Sequence, residues 1–163
     1  MPVVLARIDD RLVHGQVAVG WSRATNADLL VVANDDAAAD PLQQSLMQLA
    51  TPAGLTLRVL SVQGAGAADA KGEFDAARSL LLFSTPSDAL LYREAGGRLT
   101  SLNVGGMRQG AGKRCVKEAV CLSDQDCQDL LTLADAGIEL ECRIVPTDRR
   151  TDLVALLKGS AGA

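Results

Sequence analysis

The chain has 163 residues, 48% of them hydrophobic and only 2% aromatic, so it can bury one full core, and that core must be built from Leu, Val, Ile and Ala. Its net charge is -4, with acids and bases interspersed, which excludes the basic stripe that a nucleic-acid partner demands. No stretch approaches a membrane-spanning length and residues 1–6 are too short for the apolar part of a signal peptide, so the chain is expected to be cytoplasmic.

Residues 3–8 read as a first strand, buried on both faces. The segment Arg7-Ile8-Asp9-Asp10-Arg11-Leu12-Val13-His14-Gly15-Gln16-Val17 overlaps its end. Val13, Val17, Trp21 and Ala24 recur at helical spacing, which predicts a helix over residues 15–24 with Trp21 in the core. Residues 28–34 form a second strand that ends in Asn34-Asp35-Asp36. Asp40-Pro41 starts a helix, with Asp as cap and Pro at the first position. Leu42, Leu46 and Leu49 are its expected buried stripe, and Thr51-Pro52 stops it. Residues 55–61 are a third strand, and the Gly- and Ala-rich residues 64–72 a short helix or a loose loop. Residues 79–83 are a fourth strand. Thr85-Pro86 opens a helix that Gly96-Gly97 ends.

Residues 99–104 are a fifth strand, followed by a turn at Gly105-Gly106. Residues 110–114 are a basic bend and residues 116–122 a sixth strand. Ser123 and Asp126 have capping-box spacing and open a helix that Gly137 closes. Ile138, Leu140, Cys142 and Ile144 alternate, which predicts a last strand with one solvated face. Residues 152–158 are a terminal helix, and the tail after about residue 158 is expected to fray. Strands alternating with helices predict an α/β fold: a single domain over residues 1–163, with an open, mostly parallel sheet and helices on both faces. Ligands in such sheets sit at the carboxyl ends of strands, where the His14 loop lies. Asn34-Asp35, Ser84-Thr85 and Asn103 also end strands. They are candidates for the same rim, with turn and cap chemistry as the competing explanation.

His14 is the only histidine. A neutral imidazole is nucleophilic near neutral pH and can accept a phosphoryl group and release it again. Arg11 offers a planar fork suited to phosphate oxygens, and Asp9 or Asp10 can orient the arginine or the ring. The plainer alternative is a strand-end histidine bonded to its own loop. Other motifs fail. Gly64-Ala65-Gly66 meets Asp69 where a dinucleotide fingerprint needs glycine. Gly112-Lys113 is followed by Arg114 where a P-loop needs Ser or Thr. Cation binding by Asp9, Asp10, Asp35 and Asp36 is open from residue types alone and competes with Arg11 for the same acids. Cys115, Cys121, Cys127 and Cys142 lack CxxC spacing. They are expected to be free thiols serving as small apolar residues, with a regulatory disulfide as the alternative that no specific feature supports.

The run from Arg7 to Val17 resembles the phosphorylation-site signature of the IIB components of the mannose/fructose/sorbose family of the sugar phosphotransferase system (PTS). The resemblance continues along the chain. It takes in Trp21, the run Leu30-Val31-Val32-Ala33-Asn34-Asp35, Ala50-Thr51-Pro52-Ala53-Gly54 and Leu81-Leu82-Phe83. Leu102-Asn103-Val104-Gly105-Gly106-Met107 and Val145-Pro146-Thr147-Asp148 complete it. It implies a phosphocarrier, a protein-phosphohistidine–sugar phosphotransferase. His14 would take a phosphoryl group on Nδ1 from a phosphohistidine of a IIA domain and pass it to a sugar held by the membrane components IIC and IID. Arg11 falls on the family's phosphoryl-binding arginine, Asp9 on the acid that orients it or the ring, and Asp10, Gly15 and Gln16 complete the supporting loop. No cofactor and no metal are implied. The resemblance suggests a homodimer and peripheral association with the permease. A regulatory IIB-like role without sugar transfer is the alternative. The helix after Asp40 often carries basic residues in this family, whereas here it reads Leu42-Gln43-Gln44-Ser45.

Overall fold

The apolar runs become one sheet. The computed structural model describes residues 3–161. Numbered along the chain, the sheet's strands are β1 (Val3–Asp9), β2 (Leu29–Ala33), β3 (Thr56–Leu60), β4 (Ser79–Phe83), β5 (Ser101–Gly106), β8 (Glu139–Cys142) and β9 (Thr151–Asp152). Their spatial order is β3-β2-β4-β1-β5-β8-β9, all parallel except β9, which runs against β8. A separate hairpin, β6 (Arg114–Lys117) and β7 (Val120–Leu122), stands beside the end of β5.

Helices cover both faces, as the alternating pattern predicts. On one face lie α1, wound as a π-helix over Gln16–Trp21 and as an α-helix over Ser22–Thr25, α2 (Asp35–Ala38) and α3 (Pro41–Ala50). On the other lie α4 (Val62–Ala70), α5 (Pro86–Glu94), α6 (Asp124–Asp135) and α7 (Leu153–Ala161). Strand periodicity divides the core. Leu30, Val32, Leu80 and Leu82 face α1, while Val31, Leu81, Phe83, Ile8 and Val104 face α4 to α7. Each such buried aliphatic side chain contributes about 2 kcal/mol relative to exposure. Caps fix where helices begin. Asp40 accepts from the N–H groups of Leu42 and Gln43, Thr85 accepts from Asp88, and Ser123 and Asp126 form a reciprocal box.

The chain leaves β1 towards the α1 face and leaves its two neighbours, β4 and β5, towards the opposite face. That divergence opens a crevice at the carboxyl end of β1.

Several expectations are corrected. Leu42, Leu46 and Leu49 are 70%, 58% and 83% exposed, and Met47, at 4%, is the buried residue of α3. The Gln44 side chain donates to the carbonyls of Ala37 and Ala38 and turns the helix so that its leucines face out. Gly105-Gly106 is not a turn: β5 runs straight through it. Residues 116–122 are not one strand, because the chain reverses at Glu118-Ala119, with Ala119 in the left-handed region at φ 63°. β8 has no solvated face beyond Glu139, since Glu141 is buried in a polar network. Of the two alternatives for residues 64–72 the short helix holds: they begin inside α4, which Ser61 caps. The terminal helix runs on to Ala161; the rest of the expected fraying tail lies outside the described residues. Cys115 and Cys121 are not free thiols but a disulfide, because the hairpin sets them directly opposite each other; Cys127 and Cys142 are free.

Candidate functional site

The site grows from the alternation of β1. Ala6 and Ile8 fill the core on the α4–α7 side, so Arg7 and Asp9 must project to the other side, beneath α1. Parallel register then aligns Arg7 with Asn103 of β5, and Asn103 with Glu141 of β8. A polar row therefore crosses three buried strands. Arg7 Nη1 donates to Asn103 Oδ1 and to the carbonyl of Arg143 at 2.8 Å. Its Nη2 donates to Asp9 Oδ2 at 3.2 Å and to the carbonyl of Ile144 at 3.1 Å. Asn103 Nδ2 donates to Glu141 Oε1 at 2.9 Å, and Arg143 closes the row on Glu141 at 2.8 Å. Trp21 lies against both guanidiniums, 4.9 Å from Arg7 and 5.0 Å from Arg143.

Two glycines make room for this. A Cβ on Gly105 would lie 2.0 Å from Arg7 Nη1, and one on Gly106 would lie 2.6 Å from the Asp9 carboxylate. Any other residue at these positions displaces the charged pair.

After Asp9 the chain turns at once. Leu12 N–H donates to the carbonyl of Asp9 at 2.9 Å, Arg11 N–H donates to Asp9 Oδ1 at 3.1 Å, and Leu12 takes the left-handed conformation at φ 56°. Leu12 and Val13 are buried with Trp21 and anchor the loop to the core. His14 follows, with a side chain only 18% exposed, and its carbonyl accepts from Ala18 N–H as α1 begins.

His14 Nε2 stands 3.0 Å from Asp9 Oδ2. Burial pushes the Asp9 carboxyl up more than any other single influence. The hydrogen bond with His14, the charge of Arg7 and the N–H of Arg11 together outweigh it and hold Asp9 below the usual carboxylate range. An ionised Asp9 can only accept, so Nε2 carries the proton and the free lone pair of the neutral ring is on Nδ1. Burial lowers Arg7 from its ordinary value, opposed chiefly by Asp9.

Arg11 is the half-exposed cation beside the buried Arg7–Asp9 pair. Its side chain is 45% exposed, its Nε lies 3.6 Å from Asp9 Oδ1, and its Nη2 donates to Gln16 Oε1 at 3.3 Å. Asp10 points elsewhere. Its N–H donates to the Gly106 carbonyl at 2.7 Å, and its Oδ2 accepts from Arg108 N–H at 2.8 Å and Nε at 3.3 Å. A cavity of about 230 Å³ opens between Arg11 and Arg108, against Gly105, Met107 and Ile144.

Of the residues expected from sequence, Asp9, Arg11, His14 and Gln16 meet in one cluster, and Gly15 starts the helix behind His14. Asp10 braces the loop from outside. Asn34 and Thr85 are helix caps, Asp35 Oδ1 accepts from Val62 N–H, and Ser84 bridges Asn34 and Asp88. Of the four aspartates weighed as cation ligands, Asp9, Asp10 and Asp35 are engaged by separate partners; among the described residues no group of three or more acids, histidines or cysteines is placed to hold a metal. Asn103, a strand-end candidate for the rim, does join the site, through Arg7 and Glu141, whereas sequence reasoning missed Arg7, Glu141 and Arg143. The available signal was an arginine and a glutamate, each inside an apolar strand.

The PTS sorbose subfamily IIB component family matches residues 3–162. The chain is 35% identical over 158 residues to the PTS fructose-specific EIIB component of Bacillus subtilis, covering 97% of each chain. It is 38% identical over 157 residues to the PTS mannose-specific EIIAB component of Escherichia coli, of which it spans 49%. The crystal structure of the IIBSor domain of the sorbose permease from Klebsiella pneumoniae superposes with a TM-score of 0.93 at 34% identity, covering all of both chains.

Proposed function

Because the chain belongs to the sorbose subfamily of PTS IIB components, which transfer phosphoryl groups during sugar uptake, we propose that His14 is the residue that carries the phosphoryl group, on Nδ1. The observation that supports this most is the contact of His14 Nε2 with a buried Asp9, itself held by Arg7. With Nε2 engaged by Asp9, Nδ1 is the ring nitrogen that keeps a lone pair for the phosphoryl group.

In this reading the Nδ1 lone pair attacks the phosphorus of a phosphohistidine on a IIA domain. The donor's N–P bond breaks and its electron pair returns to the donor ring. Asp9 stays ionised and offsets the positive charge that phosphorylation brings to the His14 ring. Arg11 swings from Gln16 onto the phosphoryl oxygens, where its fork replaces water. The backbone N–H groups of Gly15 and Gln16, at the start of α1, add neutral donors. Asp10 keeps the loop in register with β5. In transfer onward a hydroxyl of a sugar held by IIC and IID attacks phosphorus, its proton passes to a base on the permease or to water, and the N–P electrons return to Nδ1. Such transfer depends on positioning and charge, and this cluster provides one nucleophile, one half-exposed guanidinium and a fixed acceptor. The protein then works in the cytoplasm against the inner face of the permease; no helix among the described residues is long and apolar enough to cross a membrane itself.

Intact mass after incubation with phosphoenolpyruvate, enzyme I, HPr and a IIA domain tests the assignment. The expected result is an acid-labile gain of one phosphoryl group in the wild type and none in His14→Ala. No gain in the wild type with a IIA domain that is itself phosphorylated would overturn it.

A further inference from the structure

We propose that the Cys115–Cys121 disulfide is a thiol–disulfide exchange site whose redox state sets how firmly the β6–β7 hairpin holds the His14 loop. The effect on phosphoryl transfer rests on the function proposed above; the exchange site itself does not.

The two strands of the hairpin are held unequally: β7 is buried against the core, whereas Arg114 and Cys115 of β6 are exposed and the strand is fastened at its other end by Val116 and a Lys117–Thr151 hydrogen bond. The hairpin's two-residue connection, Glu118-Ala119, lacks glycine, and Ala119 sits at φ 63°, where a Cβ is unfavourable. The disulfide joins residues directly opposite across the two strands, where it compensates for that connection.

From the hairpin a short chain of contacts leads to the site. Ala119 accepts from Met107 N–H at 2.8 Å, and Cys121 N–H donates to the Met107 carbonyl at 2.9 Å. The next residue, Arg108, grips Asp10 through its backbone N–H and Nε. Asp10 sits between Asp9 and Arg11. The hairpin thus braces the exit of β5 against the loop that carries His14, and Ala119 shares the cavity beside Arg11.

The chemistry of exchange is open on one side only. Cys115 is exposed and Cys121 is 4% exposed. A thiolate of an external dithiol attacks the Cys115 sulfur, the S–S bond breaks, and the electron pair leaves on Cys121, which takes a proton. The reductant's second thiolate then attacks its own sulfur in the mixed disulfide and frees Cys115. Two electrons pass from the dithiol, which becomes a disulfide, and the protein gains two thiols. An oxidised dithiol or a small disulfide runs the steps backwards. Gln109 Oε1 lies 3.0 Å from Cys115 Sγ, placed to accept from the reduced thiol. The remaining cysteines do not compete: burial pushes Cys142 up to about 11 and raises Cys127 as well, so neither presents a thiolate at neutral pH. In a reducing cytoplasm a disulfide of this kind serves sensing more often than stability.

The test uses the full chain, with dithiothreitol as the reductant and oxidised glutathione as the oxidant. Trypsin cuts after Arg114, Lys117 and Arg143. The oxidised chain should yield residues 115–117 cross-linked to residues 118–143, and dithiothreitol should separate them. Hydrogen exchange at Met107, Arg108 and Cys121 should quicken on reduction while β2 and β3 stay unchanged. Phosphoryl transfer to His14 should slow several-fold on reduction, and Cys115→Ser should match the reduced chain and ignore dithiothreitol. Failure of the cross-link to form under oxidised glutathione, or hydrogen exchange indifferent to redox state, would overturn the exchange site. A redox-dependent hairpin with unchanged transfer would overturn the coupling. Absence of transfer in both forms would count against the phosphocarrier reading alone, since hydrogen exchange still decides the rest.

Discussion

A guanidinium with no surface in water, as Arg7 has, is stable only where charge and hydrogen bonds replace its hydration. Asp9, Asn103 and two carbonyls do so at both Nη atoms, and the face of Trp21 adds to them, while Nε is left without a hydrogen-bond partner. Arg7→Met leaves Asp9 buried with one fewer cation and should cost about 3 kcal/mol of stability, read by urea denaturation. Arg7→Lys keeps the charge but loses the fork and should remain impaired. The two glycines give a sharper contrast. Gly105→Ala drives a methyl into the Arg7 guanidinium and should destabilise by about 2 kcal/mol and slow phosphoryl transfer together. Gly15 has helical torsions and nothing within 4 Å of its would-be Cβ. Gly15→Ala should therefore leave the thermal midpoint unchanged or slightly raised, and any loss it causes should appear in transfer alone.

At the scale of single elements, α3 separates what pattern can tell from what packing decides. Its start was legible, because Asp40-Pro41 is local chemistry, and so was its amphipathic spacing. Which stripe faces inward was not, because Gln44 binds the end of α2 and turns the leucines outward. Leu49→Ala should then shift stability by less than about 0.5 kcal/mol, whereas Met47→Ala should cost about 2 to 4 kcal/mol. The same division holds at the site. His14, Arg11 and Asp9 stand out along the chain because they crowd into one short loop. Asn103 is legible as a polar residue at a strand's end, but its bond to Arg7, and the place of Glu141 behind it, come from the parallel register of β1, β5 and β8, which no local signal encodes. The β6–β7 hairpin is not legible as two strands, because the reversal at Glu118-Ala119 carries none of the usual turn residues, and without the hairpin nothing pairs Cys115 with Cys121.

For the molecule as a whole, sheet topology and electrostatics act on the same spot. The divergence of the connections around β1 places one buried ion pair, Arg7–Asp9, at the base of the crevice, and the fold's response to acid should report on it. Asp9 is held below its unfolded value, so its contribution to stability is present above about pH 4 and is lost as pH falls through its lower folded value. Acid titration of stability should show this loss in the wild type and a smaller one in Asp9→Asn measured against its own neutral-pH value. The central claim is that Asp9 holds Nε2 and leaves Nδ1 to carry phosphorus. Because the chain has a single histidine, nitrogen-15 NMR of the phosphorylated, ring-labelled protein tests it directly. Coupling to phosphorus at Nδ1, with a proton retained on Nε2, is the predicted result; phosphorus on Nε2, or on neither nitrogen, would contradict the account.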